Sequence, residues 1–317
     1  MGKTICAVIV TYNRKEYLLK LLSSLRSQSR KLDGILILDN HSSDGTDQLL
    51  LEKGIVADIQ EEKLTATENL YYYRSATNTG GSGGFHRAME LAVKLGFDAI
   101  WCMDDDVCPE VNCLENLEKE LTPDSRVVIP TRSDDRFQDR ATVSVNMSNP
   151  FRYTNFLRKS FIDDACIVGN TIEIEDMPFE GPLICSSLAR EIGLPNKDLF
   201  ILFDDSDYAY RAKAKTKLLY CKTAVLHKQI IPVNNKGALM GWKDYYNCRN
   251  QIWFNRTYGK NIFVRILRPR LLIWDLYLRA IVRRKWSNFR VLHRAYRDGM
   301  ANRLGKLVEP GTQGPDF

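Results

Sequence analysis

The sequence predicts an α/β fold, a mostly parallel sheet with helices on both faces. Three observations predict it. Short β-branched apolar runs alternate with segments of helical periodicity, the connections between them are short, and acidic or glycine-rich stretches follow the apolar runs directly. In such sheets ligands bind outside the carboxyl ends of the strands.

Taken in order, "TICAVIVTY" reads as a buried strand. Asn13 is placed to cap the next helix, in which Leu18, Leu21, Leu22 and Leu25 recur at helical spacing. "DGILILDN" is a second buried strand ending in Asp39 and Asn40, and "SSDGTDQLLLEKG" reads as a cap, a helix and a glycine stop. "NLYYYRS" is a third strand. It runs into "NTGGSGGFHRAMELAVKLG", a glycine-rich turn opening an amphipathic helix, and "FDAIWCM" is a fourth strand ending at Asp104, Asp105 and Asp106. Residues 122–161 read as polar and irregular, with "TRSDDRFQDR" a loop or short hairpin. "EGPLICSSLAREIGLP" reads as a buried segment leading into a short helix. "DLFILFDDSDYAYRAKAKTK" reads as a strand delivering Asp204 and Asp205 to a helix N-terminus, with Asp207 and Arg211 one turn apart. "LLYCKTAVLHK" is a further strand with His227 at its exit.

The 317 residues suffice for a substantial core, and 44% hydrophobic with 26% charged residues is an ordinary globular composition. The N-terminal stretch has neither a secretory nor a myristoylation pattern, and no apolar run approaches the roughly 20 residues of a membrane span. Cys6, Cys102, Cys166, Cys185 and Cys221 lie in apolar runs, as core thiols do, and no CxxC pair suggests zinc. A reducing cytoplasm fits this usage. The net charge of +6 is uneven: residues 260–297 hold eleven Lys or Arg against Asp275 alone, +10 in all, leaving −4 elsewhere. Such asymmetry points to an anionic partner. Within it, residues 271–282 are apolar except for Asp275 and Arg279, with Trp274 and Trp286 nearby. Two readings stay open: a helix lying in a membrane interface, or a core-packing helix with a solvated basic edge.

Three adjacent aspartates repel one another, so they suit solvent or a cation. On a strand end Asp104 and Asp106 point to one side and Asp105 to the other, which predicts a hard-oxygen site for Mg2+ or Mn2+ and, through it, a diphosphate. His227 is a candidate further ligand or a satisfied structural histidine. The glycine-rich turn permits close backbone approach to a ligand but is neither a dinucleotide fingerprint nor a P-loop. Asp204 and Asp205 cannot both ionise comfortably if buried together, so either one is a general base with a raised pKa, or the stretch caps its helix.

The ordered set "VIVTYNR", "DNHSSDGT", "NTGGSGGF", "MDDD", "DDSDYAYR" and "LHK" resembles the inverting family 2 glycosyltransferases of the GT-A fold. With "YYNCRNQIWF" downstream it is most similar to their galactofuranosyl- and rhamnosyltransferase branch. The resemblance covers about residues 4–258. It implies that Thr11, Tyr12, Arg14 and Asp39 line the nucleotide pocket, and that Asn78, Gly80, Gly81, Gly83 and Gly84 close over nucleotide and donor sugar. Asp104 and Asp105 would also face the donor, within a DxD motif whose metal ligands are Asp104, Asp106 and His227. Asp205 would be the catalytic base, with Asp204 and Trp242 binding the acceptor. The implied cofactor is Mn2+ or Mg2+, the donor UDP-galactofuranose or, second, dTDP-rhamnose. The implied acceptor is a glycan or lipid-linked saccharide of cell-surface polysaccharide such as O-antigen, with no nucleic-acid partner. Residues 1–260 would be the catalytic domain and 261–317 a basic helical region, holding a cytoplasmic protein at the inner face of the membrane. Asn40 stands where many relatives carry a second acid.

Overall fold

The predicted alternation is present as a sheet most of whose strands share one direction. The computed structural model describes residues 2–151, 159–231 and 239–317. Its first half runs β1 (Ile5–Thr11), α1 (Lys15–Arg26), β2 (Gly34–Asp39), α2 (Thr46–Glu52), β3 (Leu64–Thr67), β4 (Leu70–Arg74), α3 (Gly80–Lys94), β5 (Ala99–Asp104), β6 (Val107–Pro109) and α4 (Cys113–Glu120). Then follow β7 (Val127–Thr131), β8 (Arg140–Val145), β9 (Lys159–Asp163), β10 (Thr171–Ile174), β11 (Leu183–Cys185), α5 (Ser186–Ile192), α6 (Asp204–Ala212) and β12 (Leu218–Lys228). The chain closes with α7 (Trp242–Tyr258), α8 (Arg268–Val282) and α9 (Asn288–Met300).

Among the described residues the main sheet has ten strands in the order β10-β12-β7-β11-β5-β1-β2-β4-β3, with β6 on β12. β4, β2, β1 and β5 pair in parallel. β11 enters antiparallel between β5 and β7, and β12 is again parallel to β7. All seven residues of β1 are buried, as a strand covered on both faces requires. Its side chains alternate between two cores. Cys6, Val8 and Val10 meet Phe85, Ala88, Met89 and Ala92 of α3 together with parts of α5 and α6. Ile5, Ala7 and Ile9 meet Leu18, Leu21, Leu22 and Leu25 of α1 and Leu114 and Leu117 of α4. A third cluster joins Tyr245, Tyr246 and Ile252 of α7 to Leu272, Ile273 and Leu276 of α8 and Val291, Leu292 and Ala295 of α9. That packing crosses residue 260, where the sequence suggested a division.

Several local expectations differ from the structure. The stretch thought irregular contains β7, a fully buried strand of the main sheet, while β8 and β9 pair as a separate two-stranded sheet. The segment before Asp204 is not a strand. Its Phe200, Leu202 and Phe203 have positive φ, incompatible with extension. Asn13 does not cap α1. Its Oδ1 accepts from the Ser43 amide at 2.6 Å, and the first helical amide, Lys15, donates to Asp44 at 3.2 Å instead. Cys166 is exposed rather than in the core. No helix of the described residues is long and apolar enough to cross a membrane.

α3 lies close on β1 because Gly84 has no side chain: a Cβ there would sit 2.6 Å from Val10 Cγ1. Gly84→Ala is therefore expected to cost about 1–3 kcal/mol by overpacking. Adding Val10→Ala should recover part of that loss in urea unfolding, and strictly additive effects would show that the two positions do not meet.

Candidate active site

The carboxyl ends of β1, β2 and β5, the start of α3 and the start of α6 surround a cavity of about 510 Å3. Thr11, Tyr12, Arg14, Asn78, Gly80, Gly81, Asp104, Asp105, Asp204, Asp205 and Trp242 all line it, so most of the residues singled out from sequence come together.

At one end Asn40 ties strand to turn. Its amide donates to the Gly80 carbonyl at 3.0 Å, and its Oδ1 accepts from the Thr79 amide and hydroxyl at 3.0 and 2.9 Å. A buried carboxylate in its place would have no N–H to give Gly80. Gly80 has φ +73°, and a Cβ there would run into the Phe200 carbonyl. Gly81 has open space around it, as a ligand-facing position needs, whereas Gly83 and Gly84 back onto Thr79 and Val10 and do not line the cavity. Asp39 does not line it either. Its carboxylate is fully engaged by the Ser42 amide, Tyr72 Oη and Arg74 Nη1 at 2.7–2.9 Å, so it shapes the wall from behind.

β5 ends at Asp104 and the chain turns, so strict strand alternation does not govern the three aspartates. Asp105 is buried and reaches back to β1, accepting from Thr11 Oγ1 at 2.7 Å, the Tyr12 amide at 3.2 Å and Arg14 Nη1 at 3.0 Å. Arg14 also pairs with Asp106 at 2.8 Å. Burial pushes Asp105 up to about 6 despite Arg14 and Thr11. Asp104 has no hydrogen-bond or ion-pair partner among the described residues. Burial, with repulsion from Asp106, Glu180 and Asp105, drives its pKa well above the usual carboxylate range. An unpartnered carboxyl among other carboxylates is the environment a hard cation relieves, so Asp104, with Asp106 beside Arg14, fits a divalent ion. His227 does not join them. Its Nδ1 meets Asp134 at 3.1 Å and its Nε2 meets Glu110 at 2.9 Å. Among the described residues no three His, Cys, Asp or Glu side chains form a metal-holding group.

At the other end Asp204 and Asp205 open α6. Burial raises both; Asp205 adds repulsion on Asp204, and Asp176 on Asp205, with Lys159 pulling Asp205 back. The segment presenting them is held from behind by α7. Asn250 Nδ2 donates to the carbonyls of Leu199, Ile201 and Leu202 at 3.0, 2.8 and 2.9 Å. Arg249 Nε donates to Asn250 Oδ1 at 2.8 Å, fixing the amide's orientation, and its Nη2 reaches the Leu199 carbonyl at 2.9 Å. This gives "YYNCRNQIWF" a structural role that its spacing alone did not reveal. Trp242, the first residue of α7, also lines the cavity. Sequence reasoning missed Glu180, which also lines the cavity. Burial raises its pKa, but Arg132 and Lys228 outweigh that and leave it lowered. Its only sequence signal was an acid beside Gly181.

The chain matches the sequence profile of Glycosyl transferase family 2 over residues 6–172, just over half its length. It is 26% identical over 216 residues to galactofuranosyltransferase GlfT1 of Mycolicibacterium smegmatis, covering 64% of this chain and 63% of that protein. It is 27% identical over 215 residues to the Mycobacterium tuberculosis protein of the same name, covering 65% and 63%. The matched region thus spans less than two thirds of these relatives' length. Among solved structures, a Pyrobaculum calidifontis mannosyltransferase in complex with GDP-Man and Mn2+ superposes with a TM-score of 0.55 at 14% identity, covering 95% of this chain and 88% of that one. S. aureus TarS residues 1–349 with UDP gives 0.54 at 15%, covering 95% and 89%. These likenesses show a GT-A-type fold.

Removing the Asn250 amide leaves buried carbonyls unpaired around a turn of unfavourable φ. Asn250→Ala is expected to destabilise the protein by about 2–3 kcal/mol in urea unfolding. A change under about 0.5 kcal/mol would show that the turn holds itself.

Proposed function

The chain belongs to glycosyl transferase family 2, and on that basis we propose that it moves galactofuranose from UDP-galactofuranose to a hydroxyl of a glycan or lipid-linked saccharide, inverting the anomeric carbon. The enzyme class follows from the family; the sugar is proposed from the two galactofuranosyltransferase relatives. Transfer of rhamnose from dTDP-rhamnose is the second reading. The observation that carries the proposal is one cavity lined together by Thr11, Asn78, Gly81, Asp104, Asp105, Asp204 and Asp205.

In the proposed reaction Thr11, Tyr12, Arg14, Asn78, Gly80 and Gly81 seat the nucleotide. A divalent ion, Mn2+ or Mg2+, held by Asp104 and Asp106 would supply positive charge beside the diphosphate. Asp205 takes the proton of the acceptor hydroxyl as its oxygen bonds to the anomeric carbon; the bond from that carbon to the diphosphate breaks, and its electron pair leaves with UDP. Burial raises both carboxyls and they repel each other, so the pair does not readily ionise together; in the proposed reaction Asp205 is the carboxylate and Asp204 keeps a proton and donates to the acceptor. Trp242 offers the acceptor an apolar face at the mouth.

We place this enzyme in the cytoplasm, against the anionic inner face of the cell membrane. The outward side of α8 supports that placement: Trp274 is 65% exposed and Val282 82%, with Leu278 and Ile281 between them and Phe263 and Trp286 nearby. Arg270, Arg283 and Arg284 are exposed around that face. Its inner side packs in the core, as one of the two readings expected, and the membrane reading is proposed for its outward side.

Asp205→Asn is expected to lower kcat by about 10²–10⁴-fold while nucleotide-sugar affinity stays within twofold. Loss of binding and turnover together would sink the assigned role. A base with a raised pKa is protonated as pH falls through that higher value, so kcat/KM should fall on the acid side above the ordinary Asp value of about 3.9; a profile flat down to pH 4 would contradict it. In flotation with anionic vesicles, Trp274→Glu with Leu278→Glu should cut binding at least tenfold, and equal binding to neutral vesicles would remove the electrostatic part.

A further inference from the structure

A second cavity of about 200 Å3 adjoins the first beneath the β8–β9 hairpin. Asp205 lines both, so its carboxylate forms part of the wall between them. We propose that this smaller cavity seats the acceptor's sugar ring, with Phe161 as its apolar face and Lys159, Asp176 and Arg140 as partners for its hydroxyls. The inference rests on the transferase reading above and adds where, and by what chemistry, the second substrate is held.

The lining is that of a site for a neutral polyol. Arg132, Arg140 and Lys159 are balanced by Asp139, Asp176 and Asp205, so neither an anion nor a cation is favoured. Arg132 is committed to Asp139 and Glu180, each at 2.7 Å, and frames the floor. Lys159 pairs with Asp176 and donates to Ser206 Oγ at 3.2 Å, placing an acceptor and a donor beside the residue that follows the base. Phe161 is half-buried, with the Arg140 guanidinium 4.9 Å from its ring centre. Mixed donors and acceptors beside one aromatic face suit a sugar ring, whose edges are polar and whose faces carry C–H groups. The larger cavity is then left to the donor and to the part of the acceptor that reaches past Asp205 to Asp204 and Trp242, which line that cavity and not the smaller one. The acceptor hydroxyl reaches Asp205 from the hairpin side, and Trp242 contacts whatever extends beyond the ring.

The test is saturation-transfer NMR on the full chain with UDP present, using methyl galactoside, methyl rhamnoside and, as an anionic comparison, methyl glucuronide. Both neutral glycosides should bind and the glucuronide should bind no better. Phe161→Ala and Arg140→Ala should each weaken neutral-glycoside affinity at least fivefold, with UDP affinity within twofold of the unmodified chain. Neutral-glycoside binding indifferent to both substitutions, or absent in the UDP-loaded protein, would overturn the subsite alone. A substituted protein that loses UDP as well also counts against it, because a subsite confined to the hairpin leaves the nucleotide end intact. Failure of the unmodified protein to bind UDP would instead overturn the transferase reading, and the subsite with it.

Discussion

One buried amide holds the turn on which the carboxyl end of the cavity depends. Phe200 has φ 65° and ψ −58°, close to a γ-turn of the strained kind, and Leu202 and Phe203 also have positive φ. Bulky residues do not adopt that path unaided. Asn250 pairs with three of the turn's carbonyls, and Arg249, buried and without a carboxylate partner among the described residues, orients Asn250 and caps the Gly305 carbonyl at 2.7 Å. The Phe200 carbonyl in turn accepts from the Ser82 amide at 3.1 Å and packs where only a glycine fits, at Gly80. The turn presenting Asp204 and Asp205 is thus fastened on one side to α7 and on the other to the glycine-rich start of α3. Both ends of the cavity share a wall.

Charge is the second constraint. Asp104, Asp105, Asp106, Glu180, Asp204 and Asp205 crowd one region, and burial makes each harder to ionise. The chain answers this unevenly. Arg14 serves Asp105 and Asp106, while Arg132 and Lys228 hold Glu180 ionised. Among the described residues Asp104 is left without a hydrogen-bond or ion-pair partner, and Asp204 and Asp205 repel each other. Deficits of charge therefore remain at two places: where a diphosphate with its cation would sit, and where a proton would be taken up. A site already neutralised throughout would have no reason to bind either.

Much of this was legible in the chain, for identifiable reasons. β1, β2 and β5 are buried on both faces, so their apolar runs are unbroken and their ends unmistakable; Asp39 and Asp104 end two of them, whereas Asn78 and the glycines come after β4, whose burial is interrupted. β7 was missed because its five residues sit between polar stretches and its pairing partners, β11 and β12, lie far along the chain. Glycines could be found, but not sorted: Gly81 faces the cavity and Gly84 faces Val10, a distinction set by helix phase against the sheet. The carboxylates could be counted, but their counterions could not. Arg14 reaching Asp106, and Glu110 and Asp134 occupying His227, are contacts between segments that no spacing rule connects. The segment before Asp204 reads as apolar and extended, yet its path is imposed by Asn250, about fifty residues later.

The basic C-terminal helices are more than an appendage. α8 packs its inner face on the same cluster that contains Tyr245, Tyr246 and Phe200, and α7 carries Asn250 in that layer. The helix proposed to meet a lipid surface and the residue holding the turn before Asp204 therefore belong to one packed unit. Trp242 begins α7 and lines the cavity, so in the proposed reaction the orientation of this unit would also bear on how an acceptor carried on a lipid approaches. Exposing Trp274, Leu278 and Val282 to water has a solvation cost that a purely structural helix would have no cause to bear. In the proposed reaction α7 would join that face to the turn that carries Asp205.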